Sequence, residues 1–214
     1  MAIRTRKPRH DLGPRRRPKT TEGEAIVGAI LDATKHLLAE HGFAHLTTNR
    51  VADRAGVSIG SLYQYFTDKE SIVAALGRRF DEQALDIIEK TVIGETRSMR
   101  DDIRALVTVL VAIERGDQRM RRSLLREVPR SWIEVPGAEL EQRTRAVVEH
   151  MFERWPAKRQ RVTPATAAFI AYHAITSVIE AALLQQPELL AQERFSRELE
   201  RLVLSYLELE PEGA

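Results

Sequence analysis

The 214-residue chain contains no cysteine, which excludes disulfides, thiol redox chemistry and thiolate metal sites. Aromatic residues supply only 6% of it. Its 11 glycines and 9 prolines are sparse and fall largely at breaks, among them Gly42, Gly56, Gly94, Gly116, Pro129, Pro136–Gly137, Pro156, Pro164 and Pro187. No segment alternates apolar and polar residues for long enough to argue a sheet. The N-terminus is basic and is not followed by an apolar run of about 7–15 residues, so no secretory signal is read there and a cytoplasmic address is expected. Also missing are Gly-x-Ser-x-Gly, a phosphate loop, His-Glu-x-x-His and a dinucleotide fingerprint. His36, His41 and His45 straddle a helix end, and no carboxylate cluster completes a metal site. Neither catalysis, a metal nor a cofactor is expected.

Charge is present but unevenly placed. The chain is formally +2, yet residues 1–19 carry eight Arg or Lys against a single Asp, leaving a net acidic body. A basic arm on an acidic body suits a polyanionic partner; a solubilising tail is the other reading. Pro14-Arg-Arg-Arg-Pro18 resembles a minor-groove AT-hook core, with Arg16 where that motif has glycine. As a flexible arm along the phosphates or in the minor groove, it makes a prediction. Deleting residues 2–17 is expected to lower affinity for such a polyanion and flatten its salt dependence, and unchanged affinity and salt slope would retire the idea.

Almost everything after residue 20 reads as helix. Thr21-x-x-Glu24 fits a capping box, Ile26, Ile30, Ala33 and Leu37 recur at helical spacing, and Gly42 is expected to end the run as a left-handed C-cap with Phe43 folding back. Short helices are expected at 48–55 and 58–66, and a longer one from a second box, Thr67-x-x-Glu70, to about residue 92. Longer amphipathic helices follow at 98–115, 118–128, 138–155, 164–185 and 189–209. The fold class is all-α: a basic arm (1–19), an N-terminal three-helix unit (20–66), a connecting helix (67–92) and a larger C-terminal helical domain (93–214).

Residues 165–184 are long enough to span a bilayer, but His173 and Glu180 interrupt them between charged, amphipathic neighbours. A helix buried by its own domain on one face and by a partner subunit on the other fits better. Phe195, Leu199, Leu202, Val203 and Tyr206 form a second apolar stripe on the last helix.

At 47–69 the spacing suggests a helix-turn-helix. Ala52 is the small residue at the crossing, Gly56 supplies positive φ in the turn, and Leu62 packs back, with Val51 and Val57. With Ser58 as cap, Ile59, Leu62 and Phe66 share a core face, and Tyr63 lies at its boundary. Exposed tyrosine hydroxyls beside a groove donate to phosphates. Gly60 costs up to about 1 kcal/mol against Ala in a helix, less in the first turn, and brings the backbone close to whatever it faces. Lys69, a cation at a helix start, opposes the macrodipole unless a phosphate binds there.

From Ala29 to Val73, and most densely in TTNRVADRAGVSIGSLYQYFTDKE, the chain resembles the DNA-binding domain of the tetracycline-repressor (TetR) family of bacterial transcription regulators. The resemblance implies a homodimeric repressor, with recognition helices at 58–65 entering successive major grooves of a near-palindromic operator. It also implies a small-molecule pocket in the C-terminal domain and a dimer interface through the last two long helices. By position, Thr48 caps the second helix and touches phosphate, and Asn49 and Arg50 lie at the groove edge. Ser58, Ile59, Gly60, Ser61 and Gln64 face the groove, and Tyr63, Tyr65 and Lys69 clamp phosphates. Arg50, Gln64, apolar contacts with thymine methyls and DNA shape are expected to share specificity.

Pocket candidates are Met120, Trp132, Met151, Phe152, Trp155, Phe169, Tyr172 and His173, each also explicable as core. Tyr172 and His173 stand out as polar tips in the most apolar helix. The six arginines between Arg115 and Arg130 are read as a solvated face, with an anionic effector or DNA as alternatives. An activator, a ligand-independent DNA binder and a dimeric scaffold without DNA contact remain as other readings.

Overall fold

The computed structural model describes residues 18–92, 98–129, 132, 142–143, 146, 149–150, 153 and 163–207. Residues 1–17 of the arm, most of the expected helix at 138–155, and Met151, Phe152 and Trp155 lie outside the described residues.

Helix α1 (Thr21–His41) starts one residue earlier than the Thr21–Glu24 pair suggests. Thr20 is the cap, its hydroxyl accepting from the Gly23 amide at 3.2 Å. The helix ends at Gly42, but not in the left-handed helical conformation expected there: its φ of 74° and ψ of 173° lie in an extended region essentially reserved for glycine. A short 3-10 helix (Phe43–His45), α2 (Thr48–Ala55) and α3 (Ile59–Tyr65) follow. Helix α4 (Lys69–Val92) is opened by Asp68 and Ser71 rather than Thr67 and Glu70. The Asp68 carboxylate accepts from the Ser71 amide at 2.7 Å, and the Ser71 hydroxyl accepts from the Asp68 amide at 3.3 Å.

Then come α5 (Met99–Gly116), with a capping box at Ser98 and Asp101, and α6 (Gln118–Glu127). Helix α7 (Pro164–Gln185) is capped by Thr163 with proline in its first turn. The expected final helix is split: Pro187–Ala191 forms a 3-10 helix, and α8 spans Glu193–Tyr206.

Two cores result. The N-terminal one joins Ile30, Leu37 and Leu38 of α1, Val51 and Ala52 of α2, Leu62 and Phe66 to Ile72 and Leu76 of α4. It also takes in Met120, Leu124 and Val128 from α6 and its end. The second core gathers Ile88 of α4 with Ile103, Leu106 and Val107 of α5, Ile175, Ile179 and Leu183 of α7, and Leu199 and Val203 of α8. Helix α4 therefore contributes to both cores. Helix α6 completes the N-terminal core while Leu125 rests on the other.

Polar contacts fasten α6 on both sides. The Glu127 carboxylate accepts from the Phe43 amide at 2.9 Å, from the Ala44 amide at 3.4 Å and from the Ser123 hydroxyl at 3.0 Å. Lys35 of α1 pairs with Asp117 at 2.7 Å. In the other direction, Gln118 donates to the Pro187 carbonyl at 3.4 Å and Arg126 to the Leu184 carbonyl.

Helix α7 is long and apolar enough to cross a membrane. In this fold Ala167, Ala171, Ile175, Ile179 and Leu183 turn into the second core, while Phe169, Ile170 and Val178 face outward. On α8, Leu199 and Val203 are buried, but Leu202 and Tyr206 are exposed, so the apolar stripe read from sequence divides between two faces.

The arginine run is not one solvated face. Arg121 is mostly buried, bonded to Glu114 at 3.0 and 3.1 Å and stacked 4.3 Å from the centre of the Phe80 ring. Burial opposes its charged form, but Glu114, Asp81 and Glu180 outweigh that and raise its pKa. Burial likewise pushes the Asp81 carboxyl up to about 6, reinforced by Glu114 and Glu82 and opposed by Arg121.

The native state thus holds a proton that the unfolded chain, at 3.8, has released. Stability falls as pH rises between those values and is flat above them, by about 3 kcal/mol in all. Asp81→Asn is expected to melt higher than the native protein at pH 7.5 and level with it at pH 4. A difference independent of pH, read by thermal melting across that range, would contradict this assignment.

Candidate nucleic-acid interface

The α2–α3 pair is built as its spacing predicts. Thr47 caps α2, accepting from the Arg50 amide at 3.3 Å, so the capping role expected of Thr48 belongs to its neighbour. Gly56 closes α2 in the left-handed region (φ 67°, ψ 28°), its N–H reaching the Ala52 and Asp53 carbonyls. Val51, Ala52 and Leu62 are buried where the helices cross. Ser58 caps α3, accepting from the Ser61 amide at 3.0 Å. Outside the crossing, Arg54 grips Glu40 of α1 through two bonds of 2.7 Å, and this hydrogen bonding lowers the Glu40 pKa.

One core expectation fails. Leu62 and Phe66 are fully buried, but Ile59 is 39% exposed. It is the first residue of α3 and stands outside the packed crossing, on the outer surface with Gly60, Tyr63 and Gln64.

The tyrosines are each held. Tyr63, 42% exposed, has its hydroxyl 3.1 Å from the Thr48 hydroxyl, which joins the start of α2 to the middle of α3. Tyr65 is half-buried, and its hydroxyl lies against the first turn of α1: a Cβ on Gly23 would come within 2.8 Å of it and 3.2 Å of Pro18. The chain leading from the basic arm therefore enters the fold beside the end of α3.

Arg50 is exposed but donates to the His45 carbonyl at 2.9 Å. Lys69 turns from the α4 terminus toward Phe43, with its ammonium 3.3 Å from the carbonyl and 4.1 Å from the ring centre. The α4 terminus is capped by the Asp68 carboxylate instead of waiting for a phosphate. Asn49, Ser58, Gly60 and Gln64 are exposed, and Thr48 and Ser61 are half-buried. Together these side chains form one outward surface from the start of α2 along α3.

The pocket candidates do not come together among the described residues. Met120 is buried in the N-terminal core. Trp132 packs on that core too, edge-on to Phe43 at 5.9 Å. Phe169, 53% exposed, Tyr172 and His173 cluster on α7, with ring centres 4.3 Å (Phe169–His173) and 5.2 Å (Tyr172–His173) apart.

Sequence reasoning missed Glu127, and no local signal marks it, because the backbone amides it holds lie 83 and 84 positions away. It missed Thr47 for the opposite reason: two adjacent threonines offer the same hydroxyl one residue apart.

A helix-turn-helix closed by a left-handed glycine, set on an all-helical body, defines the class as a DNA-binding regulator of transcription. Residues 30–76 match the tetR family of bacterial regulatory proteins, and residues 98–207 match the tetracyclin repressor-like C-terminal domain. The protein belongs to the TetR family, which is not an enzyme family.

Among relatives, the transcriptional repressor KstR of Mycobacterium tuberculosis is 39% identical over 72 residues, 33% of each chain. The fatty acid metabolism regulator protein of Bacillus subtilis is 26% identical over 91 residues, 42% of this chain and 46% of that protein. These matches span less than half of the relatives' lengths. Likeness over the whole fold is wider. GusR of Salmonella enterica superposes with a TM-score of 0.69 at 19% identity, covering 89% of this chain and all of that one. FadR of Bacillus subtilis in complex with stearoyl-CoA gives 0.66 at 19% identity, covering 83% of this chain and 97% of that one.

Proposed function

We propose that the protein is a homodimeric, cytoplasmic repressor that leaves a near-palindromic operator when a small molecule binds its C-terminal domain. The observation that carries this reading is the outward face of α3, a short helix fixed by buried Leu62 and flanked by the tyrosine hydroxyls of Tyr63 and Tyr65. Flanking hydroxyls position a helix on phosphates while the helix itself meets base edges.

Dimerisation is supported by where apolar surface is left over. Of the eight large hydrophobic side chains exposed among the described residues, five lie on α7 and α8: Phe169, Ile170, Val178, Leu202 and Tyr206. A second copy covering that face sets two recognition helices for half-sites about 34–36 Å apart.

Release follows from the shared helix. Because α6 belongs to the N-terminal core and is also bonded to the end of α7, a ligand that shifts α6 moves the DNA-binding unit. Such a ligand acts only through differential affinity for the two arrangements. The likeness to FadR makes stearoyl-CoA the first probe. The reading is tested by footprinting the purified protein on its own upstream region and adding candidate effectors. A protected two-fold site that one of them clears is expected, and a site that no effector clears removes the ligand-release part.

A further inference from the structure

We propose that the operator is discriminated chiefly at A·T pairs, with Ile59 contacting a thymine methyl and Gln64 pairing with an adenine. The inference rests on α3 being the helix that enters the major groove, and it follows from asking which outward side chains are still uncommitted.

Several of the polar groups on this surface have a partner within the protein. The Arg50 guanidinium is tied to the His45 carbonyl at 2.9 Å. The Ser58 hydroxyl accepts from the Ser61 amide and lies 2.8 Å from the Ser61 hydroxyl, so the two serines largely satisfy each other. Tyr63 is joined to Thr48, Tyr65 lies on the first turn of α1, and Lys69 is held over Phe43. Asn49 is exposed, but it belongs to α2, which crosses the backbone in such units instead of entering the groove.

What remains on α3 is Ile59, Gly60 and Gln64. Ile59 is 39% exposed and purely apolar. Gln64 is exposed and makes no hydrogen bond among the described residues. Gly60 lies four residues before Gln64, hence on the same helix face. The space beside it is open: a Cβ there would meet nothing nearer than the Ser58 hydroxyl at 3.7 Å. A helix without a side chain at that point can sit close enough for the Gln64 amide to reach a base edge.

The chemistry of these two side chains selects the base pair. A glutamine amide matches the N6 donor and N7 acceptor of adenine, and an aliphatic side chain matches the C5 methyl that thymine alone presents. No charged residue occurs in Ile59–Tyr65, so the helix offers no guanidinium for guanine and no carboxylate for cytosine.

The test is in vitro selection of random duplexes with the full-length protein, followed by atom-level substitution in the selected site. Each thymine is replaced in turn by uracil, removing the methyl, and each adenine by 7-deazaadenine, removing N7. At one thymine per half-site the native protein is expected to lose about fivefold in affinity or more. Ile59→Ala binds more weakly and becomes indifferent to that same methyl. At one adenine the native protein shows a similar loss, and Gln64→Ala is indifferent to N7. Both side chains are exposed, so equal melting temperatures establish that the variants fold.

A selected site that tolerates uracil and 7-deazaadenine at every position overturns the proposal. Losses of the same size in the variants as in the native protein do so as well. Failure to enrich any sequence overturns instead the DNA-binding reading on which the proposal stands.

Discussion

Gly42→Ala is expected to destabilise the protein by about 3 kcal/mol, lowering its melting temperature by roughly 6–12 °C. Two costs combine. At φ 74° and ψ 173° the backbone occupies a region that a side chain tolerates only with about 1–3 kcal/mol of strain. The new methyl also falls 2.8–2.9 Å from both carboxylate oxygens of Glu127. That side chain must swing away, abandoning the amides of Phe43 and Ala44, at about 1 kcal/mol for each such bond.

Glu127→Ala separates the two costs, since it loses the hydrogen bonds without straining the backbone. It should account for about 2 kcal/mol of the drop, with backbone strain at residue 42 supplying the rest. The measurement is a pair of thermal or denaturant melts. A Gly42→Ala protein melting within a degree or two of the native one would show that this corner is not the fastening between α1 and α6.

Gly60→Ala is expected to do the reverse. Among the described residues nothing needs that position empty, since the added methyl would meet only the Ser58 hydroxyl at ordinary contact distance. Alanine there leaves stability unchanged or raises it by up to about 1 kcal/mol, because glycine is the poorer helix former. Operator affinity nevertheless falls, by about tenfold or more, a loss of about 1.4 kcal/mol. The methyl occupies the space that the DNA backbone or a base edge would take. Stability and affinity measured on the same preparation decide the matter. An alanine variant that binds DNA as the native protein does would mean that the glycine marks no close approach.

The two glycines also show where the sequence is informative and where it is not. Gly42 and Gly56 could be assigned to helix ends because a break in apolar periodicity followed by glycine has a local cause. The same local logic placed Val51, Ala52 and Leu62 at the crossing, all of which are buried. It slipped by one residue at Thr20 and Thr47, where consecutive or nearby hydroxyls compete for the same cap. At Ile59 helical periodicity suggested a buried face, but the residue stands outside the crossing, because periodicity says which residues share a face and not where a partner helix ends.

What could not be read was long-range. The pairing of Glu127 with the amides after α1 leaves no trace in either segment alone. The same holds for Lys69 turning onto Phe43, and for Arg121 leaving an arginine-rich surface to be buried beside Glu114 and Asp81. Met120, a pocket candidate also explicable as core, belongs to the N-terminal core, because α6 packs on α1. A buried methionine reads identically in either setting.

The three residues proposed to face phosphate are held in different ways. Tyr63 and Tyr65 differ in kind: one is braced by Thr48 across the helix-turn-helix, the other is seated on the start of α1 next to the chain arriving from the basic arm. Lys69 is engaged within the protein, so in its proposed part in holding DNA the ammonium would be shared with the Phe43 carbonyl and ring.

The most direct test of the central claim is a footprint of the purified full-length protein across its own upstream region, at a salt concentration that suppresses non-specific binding. The expected result is a protected, near-palindromic site whose two half-sites lie one helical turn apart or a multiple of it, about 34–36 Å per turn. Gly60→Ala should lose that protection while melting no lower than the native protein. Uniform weak protection that disappears with salt, and is the same in both proteins, would contradict it.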